Sequence, residues 1–141
     1  AHYFAALGWL LAVRAPDAGP GTRIPGLLRA WRIRWTLARW ARSCPQNFEH
    51  RFLLVEAEWL RTLGRRRRAI RRYEEAVAAA REYGFIQDAA LASELMAETC
   101  LEMGNEKDAL PHLVSALSGY AAWGADAKVS DLQTRYARLL A

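Results

Sequence analysis

Two stretches, Gly64-Arg65-Arg66-Arg67-Arg68-Ala69-Ile70-Arg71-Arg72-Tyr73-Glu74-Glu75-Ala76 and Gly104-Asn105-Glu106-Lys107-Asp108-Ala109-Leu110-Pro111-His112-Leu113-Val114-Ser115-Ala116, carry one skeleton. Gly64, Ala69, Tyr73 and Ala76 are matched by Gly104, Ala109, Leu113 and Ala116 at a constant offset of 40 residues. Glycine has no Cβ, so it enters the positive-φ conformation that commonly ends a helix. Ala69 and Ala76, like Ala109 and Ala116, stand two turns apart and so share a face, with Tyr73 or Leu113 between them. Small residues let two helices meet near a turn, and the larger one fills the space beyond it. The chain therefore reads as all-α, a stack of antiparallel helical hairpins.

Working outward, the pattern predicts about seven helices in one segment spanning residues 1–141. Residues 1–43 read as an N-terminal helical pair: Ala1 to Val13, a loop over 15–26 marked by Pro16, Gly19, Pro20, Gly21, Pro25 and Gly26, and a second helix from Leu27 to Arg42. Residues 44–84 form one repeat. Asn47 is its expected N-cap, Phe52, Val55, Trp59, Leu60 and Leu63 lie along one side, and Gly84 is its stop. Residues 85–124 form the next, with a helix from Gln87 to Met103 that buries Leu91, Leu95 and Met96, and a helix closed by Gly124 that holds Pro111 in its first turns. Residues 125–141 read as one C-terminal capping helix from Asp126 to Leu140. No run alternates with period two, so no sheet is expected. Turn Gly, Ala, aromatic, Ala is similar to the tetratricopeptide pattern, which implies a right-handed stack. That repeat is about 34 residues long, so an interval of 40 implies longer helices.

An apolar content of 52% with 25% charged residues is that of a globular chain, and six Trp, five Tyr and four Phe offer large surfaces for burial. The apolar run at residues 1–13 is shorter than the roughly 20 residues a membrane span needs, and it lacks the basic leader of a signal peptide. Cys44 and Cys100 form no CxxC pair and read as small buried apolar groups in a reduced, cytoplasmic setting. Charge is divided along the chain: residues 1–72 sum to +11 and residues 73–141 to −6. One end is basic and the other acidic, an arrangement that favours contacts with neighbouring domains or other proteins.

Between the repeat positions lie strings with a family character. Cys44-Pro45-Gln46-Asn47-Phe48-Glu49-His50 with Leu53-Leu54-Val55-Glu56-Ala57-Glu58, then Gly84-Phe85-Ile86-Gln87-Asp88, Leu91-Ala92-Ser93-Glu94-Leu95 and Trp123-Gly124-Ala125-Asp126-Ala127-Lys128-Val129, form the set. It resembles the helical region of very large bacterial signalling proteins. In that family a serine/threonine kinase domain is followed by an AAA-type predicted ATPase, a tetratricopeptide-like region, a GAF sensor domain and often a histidine kinase. The resemblance covers roughly residues 44–130 and departs from the family at Thr99-Cys100 and in the Arg65–Arg68 run. It implies a connector between ATPase and sensor or kinase modules. The family's catalytic residues have no counterparts here.

Chemical signatures are sparse. No GxxxxGK[ST] phosphate loop is present, and His2, His50 and His112 are far apart, with no cysteine at metal-ligand spacing. The expectation is therefore no catalytic residue, no metal, no cofactor and no small-molecule ligand. His50 beside Glu49 has an alternative reading as a phosphoacceptor. Glu56 and Glu58 lie two apart on a helix and point to different sides, poor geometry for an acid and base pair. The sharpest anomaly is the cluster Arg65, Arg66, Arg67, Arg68, Arg71 and Arg72. Basic charge at a helix start opposes the macrodipole, so these residues either pair with nearby acids such as Glu58, Glu102 or Glu106 or meet an anionic partner. With Trp31, Trp35 and Trp40 interleaved among the arginines of residues 29–42, a nucleic-acid or polyanion surface is the lesser alternative to a solvated face. Replacing Ala69 or Ala109 with Leu is expected to overpack the hairpin and lower stability by about 1–3 kcal/mol. An unchanged melting temperature in both variants contradicts the hairpin reading.

Overall fold

The computed structural model describes residues 2–141, with side chains from residue 5 onward. Ala1, the expected start of the first helix, lies outside the described residues, and so does the side chain of His2. The described residues form eight helices: α1 His2–Arg14, α2 Pro20–Ser43, α3 Pro45–Thr62, α4 Arg66–Glu82, α5 Ile86–Glu102, α6 Glu106–Trp123, α7 Asp126–Arg135 and α8 Ala137–Leu140. Among the described residues there is no strand. No helix of the described residues is long and apolar enough to cross a membrane.

Four of the helix junctions are built alike. At the end of α5, Gly104 adopts φ 73°, which brings its N–H 3.0 Å from the Leu101 carbonyl and the Asn105 N–H 2.9 Å from the Cys100 carbonyl. Two carbonyls that a helix end would leave without partners are thereby satisfied. The same two bonds recur at Gly64, Gly84 and Gly124, all with φ near 80°. The four glycines stand 20 residues apart, so the turn repeats at every helix end from α3 to α6 rather than only at the two positions of the sequence echo.

The chain divides into two compact units, one ending at Arg72 and the other beginning at Tyr73, inside α4. In the first, α1, α2 and α3 each touch the other two. Gly26 permits the approach of α2 to α1: a Cβ there would stand 2.7 Å from Val13 Cγ2. Around this contact Ala6, Leu10, Val13, Ala30 and Leu37 are buried. In the second unit α5 and α6 run antiparallel on either side of the Gly104 turn, with Gly119 against Ala90 and Tyr120 reaching Glu94. Their core contains Ala90, Ala97, Leu113, Ala116, Tyr120 and Leu132, and Val129, Tyr136, Leu139 and Leu140 close it from the C-terminal end.

Several expectations require correction. The loop expected over 15–26 shrinks to residues 15–19, because α2 begins at Pro20. Proline at the first helical position gives up a donor that has no intrahelical acceptor anyway, and Gly26 serves close packing rather than a turn. Asn47 does not cap α3. That helix starts at Pro45 behind Cys44, whose φ −143° and ψ 77° lie outside the α region that a following proline disfavours. Pro111 is the sixth residue of α6, beyond the first turn, where it has no N–H for the Lys107 carbonyl. The single capping helix is broken at Tyr136, φ −114°, so that α8 turns onto α6. Leu91 and Leu95 are half-buried while Ala90, Ser93, Glu94 and Ala97 face inward, because the tight α5–α6 approach favours small residues. None of the six Trp is buried, and Cys44 is only half-buried.

Close approach at Gly119 sets a prediction. A Cβ there would lie 2.9 Å from Ala90 Cβ, whereas one at Gly8 meets nothing within 4 Å. Gly119→Ala should therefore lower stability in urea unfolding by about 1–3 kcal/mol, and Gly8→Ala should raise it by roughly 0.4–1 kcal/mol. Equal effects from the two substitutions would sink this account of the α5–α6 contact.

Candidate functional site

The residues expected to shape the hairpins occupy interior positions: Ala69, Tyr73, Ala76, Ala109, Leu113 and Ala116 are all buried, and Gly64 and Gly104 are at turns. They contribute packing and leave no reactive group at the surface.

The arginine cluster lies at the start of α4. Arg65 is the residue after the Gly64 turn, and Arg66–Arg72 make up the first two turns of the helix. Arg65, Arg66, Arg67, Arg68 and Arg71 are exposed, and no acidic residue stands in the first turn to balance them. Of the cluster, Arg72 reaches back, its Nε 3.4 Å from Glu56 Oε2. Glu56 is an acid that the sequence did not single out as a partner of the cluster. Glu58 is held by Arg14 at 2.7 Å and Arg61 at 3.2 Å, and Glu106 pairs with Arg138 at 2.6 Å.

Each unit contains a buried carboxylate with its charge compensated. Glu58 on α3 faces Arg14 from α1, whose second amino group donates to Thr62 Oγ1 at 3.0 Å; that hydroxyl in turn donates to the Glu58 carbonyl at 2.8 Å. In the second unit Tyr120 Oη donates to Glu94 Oε2 at 2.6 Å and Lys128 Nζ to Oε1 at 2.8 Å. A buried carboxylate is tolerated when its oxygens are hydrogen-bonded and its charge is matched. Glu58 ties α1 to α3, and Glu94 ties α5 to both α6 and α7. The sequence marks Glu58 as an acid for arginine, but its partners include Arg14 and Arg61, which lie outside the α4 cluster. It offers Glu94 only within a family string, because the residues that pair with Glu94 are 26 and 34 positions away.

His50, the residue with the alternative phosphoacceptor reading, is buried on α3. Burial, with the negative charges of Asp108 and Glu74, pushes the Cys100 thiol above its ordinary 9.0, so it stays protonated and a poor nucleophile at neutral pH. Among the described residues no group of three His, Cys, Asp or Glu is placed to hold a metal ion.

The surface that stands out is on α2. This helix carries six Arg, three Trp and no acid over Pro20–Ser43. Its inner face, Gly26, Ala30 and Leu37, packs into the first unit, and Trp31 and Trp35 project outward as a tilted pair with ring centroids 6.3 Å apart. Arg34 spans the edge, bonding Glu56 Oε1 at 2.9 Å and lying over the Phe52 ring. Arg34, Trp35, Ala38 and Arg42 of α2 and Phe52 of α3 line a groove of about 350 Å³ whose walls are aromatic and whose charges are all positive. Such a groove can take up an apolar or aromatic group flanked by anions.

The Glu94 cluster yields a measurable expectation. Tyr120→Phe removes the donor to Oε2 and should lower stability by about 1–3 kcal/mol in urea unfolding, and adding Glu94→Met should recover part of that loss because no buried charge then remains. A loss that the second substitution deepens would contradict the assigned bond. Comparison of the chain with protein-family models, with curated proteins and with solved structures gives no match to any of them.

Proposed function

We propose that this chain is a non-catalytic, tetratricopeptide-like scaffold that makes protein–protein or interdomain contacts within a bacterial signal-transduction ATPase and kinase. The observation that carries the reading is the turn repeated at Gly64, Gly84, Gly104 and Gly124, with identical bonds at 20-residue intervals. Regular punctuation of that kind suits a right-handed stack of hairpins, in which each element touches its neighbours and strain or binding at one end is passed along packed interfaces. The signalling context comes from the strings around Cys44–Glu58, Gly84–Leu95 and Trp123–Val129. Support for a binding rather than catalytic role comes from the two buried carboxylates, whose oxygens already hold Arg, Lys or Tyr donors. A cytoplasmic location accompanies this reading.

Exposure of Arg65, Arg67, Arg68 and Arg71 favours a second reading, a module that binds nucleic acid or another polyanion. A variant of the first is the helical part of an ATPase-type transcriptional regulator. The genomic reading frame that encodes the chain separates these. Kinase and P-loop motifs before it and a GAF domain after it are the expected outcome. A helix-turn-helix after it favours the regulator, and a frame with none of these overturns the signalling assignment. For the polyanion reading, labelled RNA or DNA should bind in a salt-dependent way that charge reversal at Arg67 and Arg68 abolishes, and absent binding or binding that survives the reversal removes it.

A further inference from the structure

Residues 24, 28, 31, 35, 38 and 42 of α2 follow one another at intervals of four, three, four, three and four, which is the spacing of a heptad seam. They are Ile24, Leu28, Trp31, Trp35, Ala38 and Arg42. A seam of this kind normally lies buried against another helix. Here Ile24 is 60% exposed, Leu28 54%, Trp31 45% and Trp35 52%, on the side of α2 turned away from Gly26, Ala30 and Leu37. Four large apolar side chains in one continuous exposed line are well beyond the scattered apolar residues of an ordinary surface.

The flanks specify the charge of what covers it. With 28, 35 and 42 as the a positions and 24, 31 and 38 as the d positions, the e positions carry Arg32 and Arg39 and a g position carries Arg34. In a helix pair these positions meet the e and g residues of the partner, where like charges repel and opposite charges select. Arg32 and Arg39 are exposed, α2 contains no acid, and the unit to which it belongs is strongly basic. Beside the seam, the 350 Å³ groove between Trp35 and Phe52 is a hole for one partner side chain.

We propose that the outer face of α2 is a docking seam for an amphipathic helix of another protein, a helix with a leucine-type apolar seam flanked by Glu or Asp. The proposal names the partner class of the scaffold reading above and rests on it. Trp35 supplies the central apolar anchor, Trp31 and Leu28 extend the contact, and Arg32 and Arg39 fix the partner's sign and register.

The test uses the whole chain and a labelled 28-residue peptide with Leu at every a and d position and Glu at every e and g position. The negative charges keep this peptide from pairing with itself at neutral pH. On titration the peptide should gain helical circular dichroism and fluorescence anisotropy, more weakly as salt rises. Trp35→Ala should weaken binding about tenfold or more and Arg39→Glu several-fold, while Arg67→Glu, the same change of charge placed on α4, should alter it less than about twofold. The matching peptide with Lys at e and g should not bind. Failure of the acidic peptide to bind, or binding that Trp35→Ala leaves unchanged, overturns the proposal and leaves the scaffold reading to the reading-frame test. A labelled 20-nucleotide thymidine strand that binds more tightly than the peptide and is lost in the same variants would assign the face to single-stranded nucleic acid instead. Sedimentation velocity showing a dimer that Trp31→Ala abolishes would assign it to a second copy of the chain.

Discussion

A helix that stops in water leaves its last carbonyls to the solvent, but one that turns straight into a second helix must satisfy them within the protein. The left-handed glycine does this at Gly64, Gly84, Gly104 and Gly124 by bending the backbone until the next two N–H groups point back at the helix just completed. A residue with a Cβ pays about 1–2 kcal/mol for the same conformation. The direction in which each following helix leaves is set by that bend, and so is the face it offers to its neighbour. Burial of Ala109, Leu113 and Ala116 on α6 depends on where the Gly104 turn sends that helix.

Packing then proceeds by close approach and by charge placement. Where α5 meets α6, Gly119 and Ala90 remove the bulk that would hold the helices apart, and the fully buried Leu113 and Leu132 contribute roughly 1.5–3 kcal/mol each through apolar burial. Glu58 and Glu94 act in the opposite sense energetically, since each must be desolvated. Their value is geometric: a buried carboxylate accepts only an arrangement that brings its donors within reach, which fixes the register of the helices that supply them. In the first unit that requirement links Arg14 of α1 to α3, and in the second it links Tyr120 of α6 and Lys128 of α7 to α5.

Basic charge is concentrated in the first unit, which carries +11 against −6 for the second. The arginine cluster of α4 is the more conspicuous feature of the sequence, but no continuous line of exposed large apolar side chains runs beside it. On α2 the arginines border a continuous exposed line of large side chains, and a partner there gains from burial as well as from charge. Burial gives affinity and charge gives selection, so α2 is the better-built recognition surface.

What the sequence determined by itself was whatever depends on near neighbours. The left-handed glycines, the 3.6-residue recurrence of apolar positions and the absence of period-two alternation made the all-helical fold and the interior places of Ala69, Tyr73, Ala109 and Leu113 readable in the chain. The same local logic misled at residues 20–26, where clustered Pro and Gly signal a loop unless a neighbouring helix occupies the space that Gly26 leaves open. It also misled for the tryptophans, since hydrophobicity alone does not say which side of α2 another helix will cover. Only the tertiary structure decided that Glu58 and Glu94 are buried and paired, that His50 is sealed in α3, and that the line from Ile24 to Arg42 faces outward. Each of those outcomes is a balance between desolvation and contact, and the contacts come from residues tens of positions away.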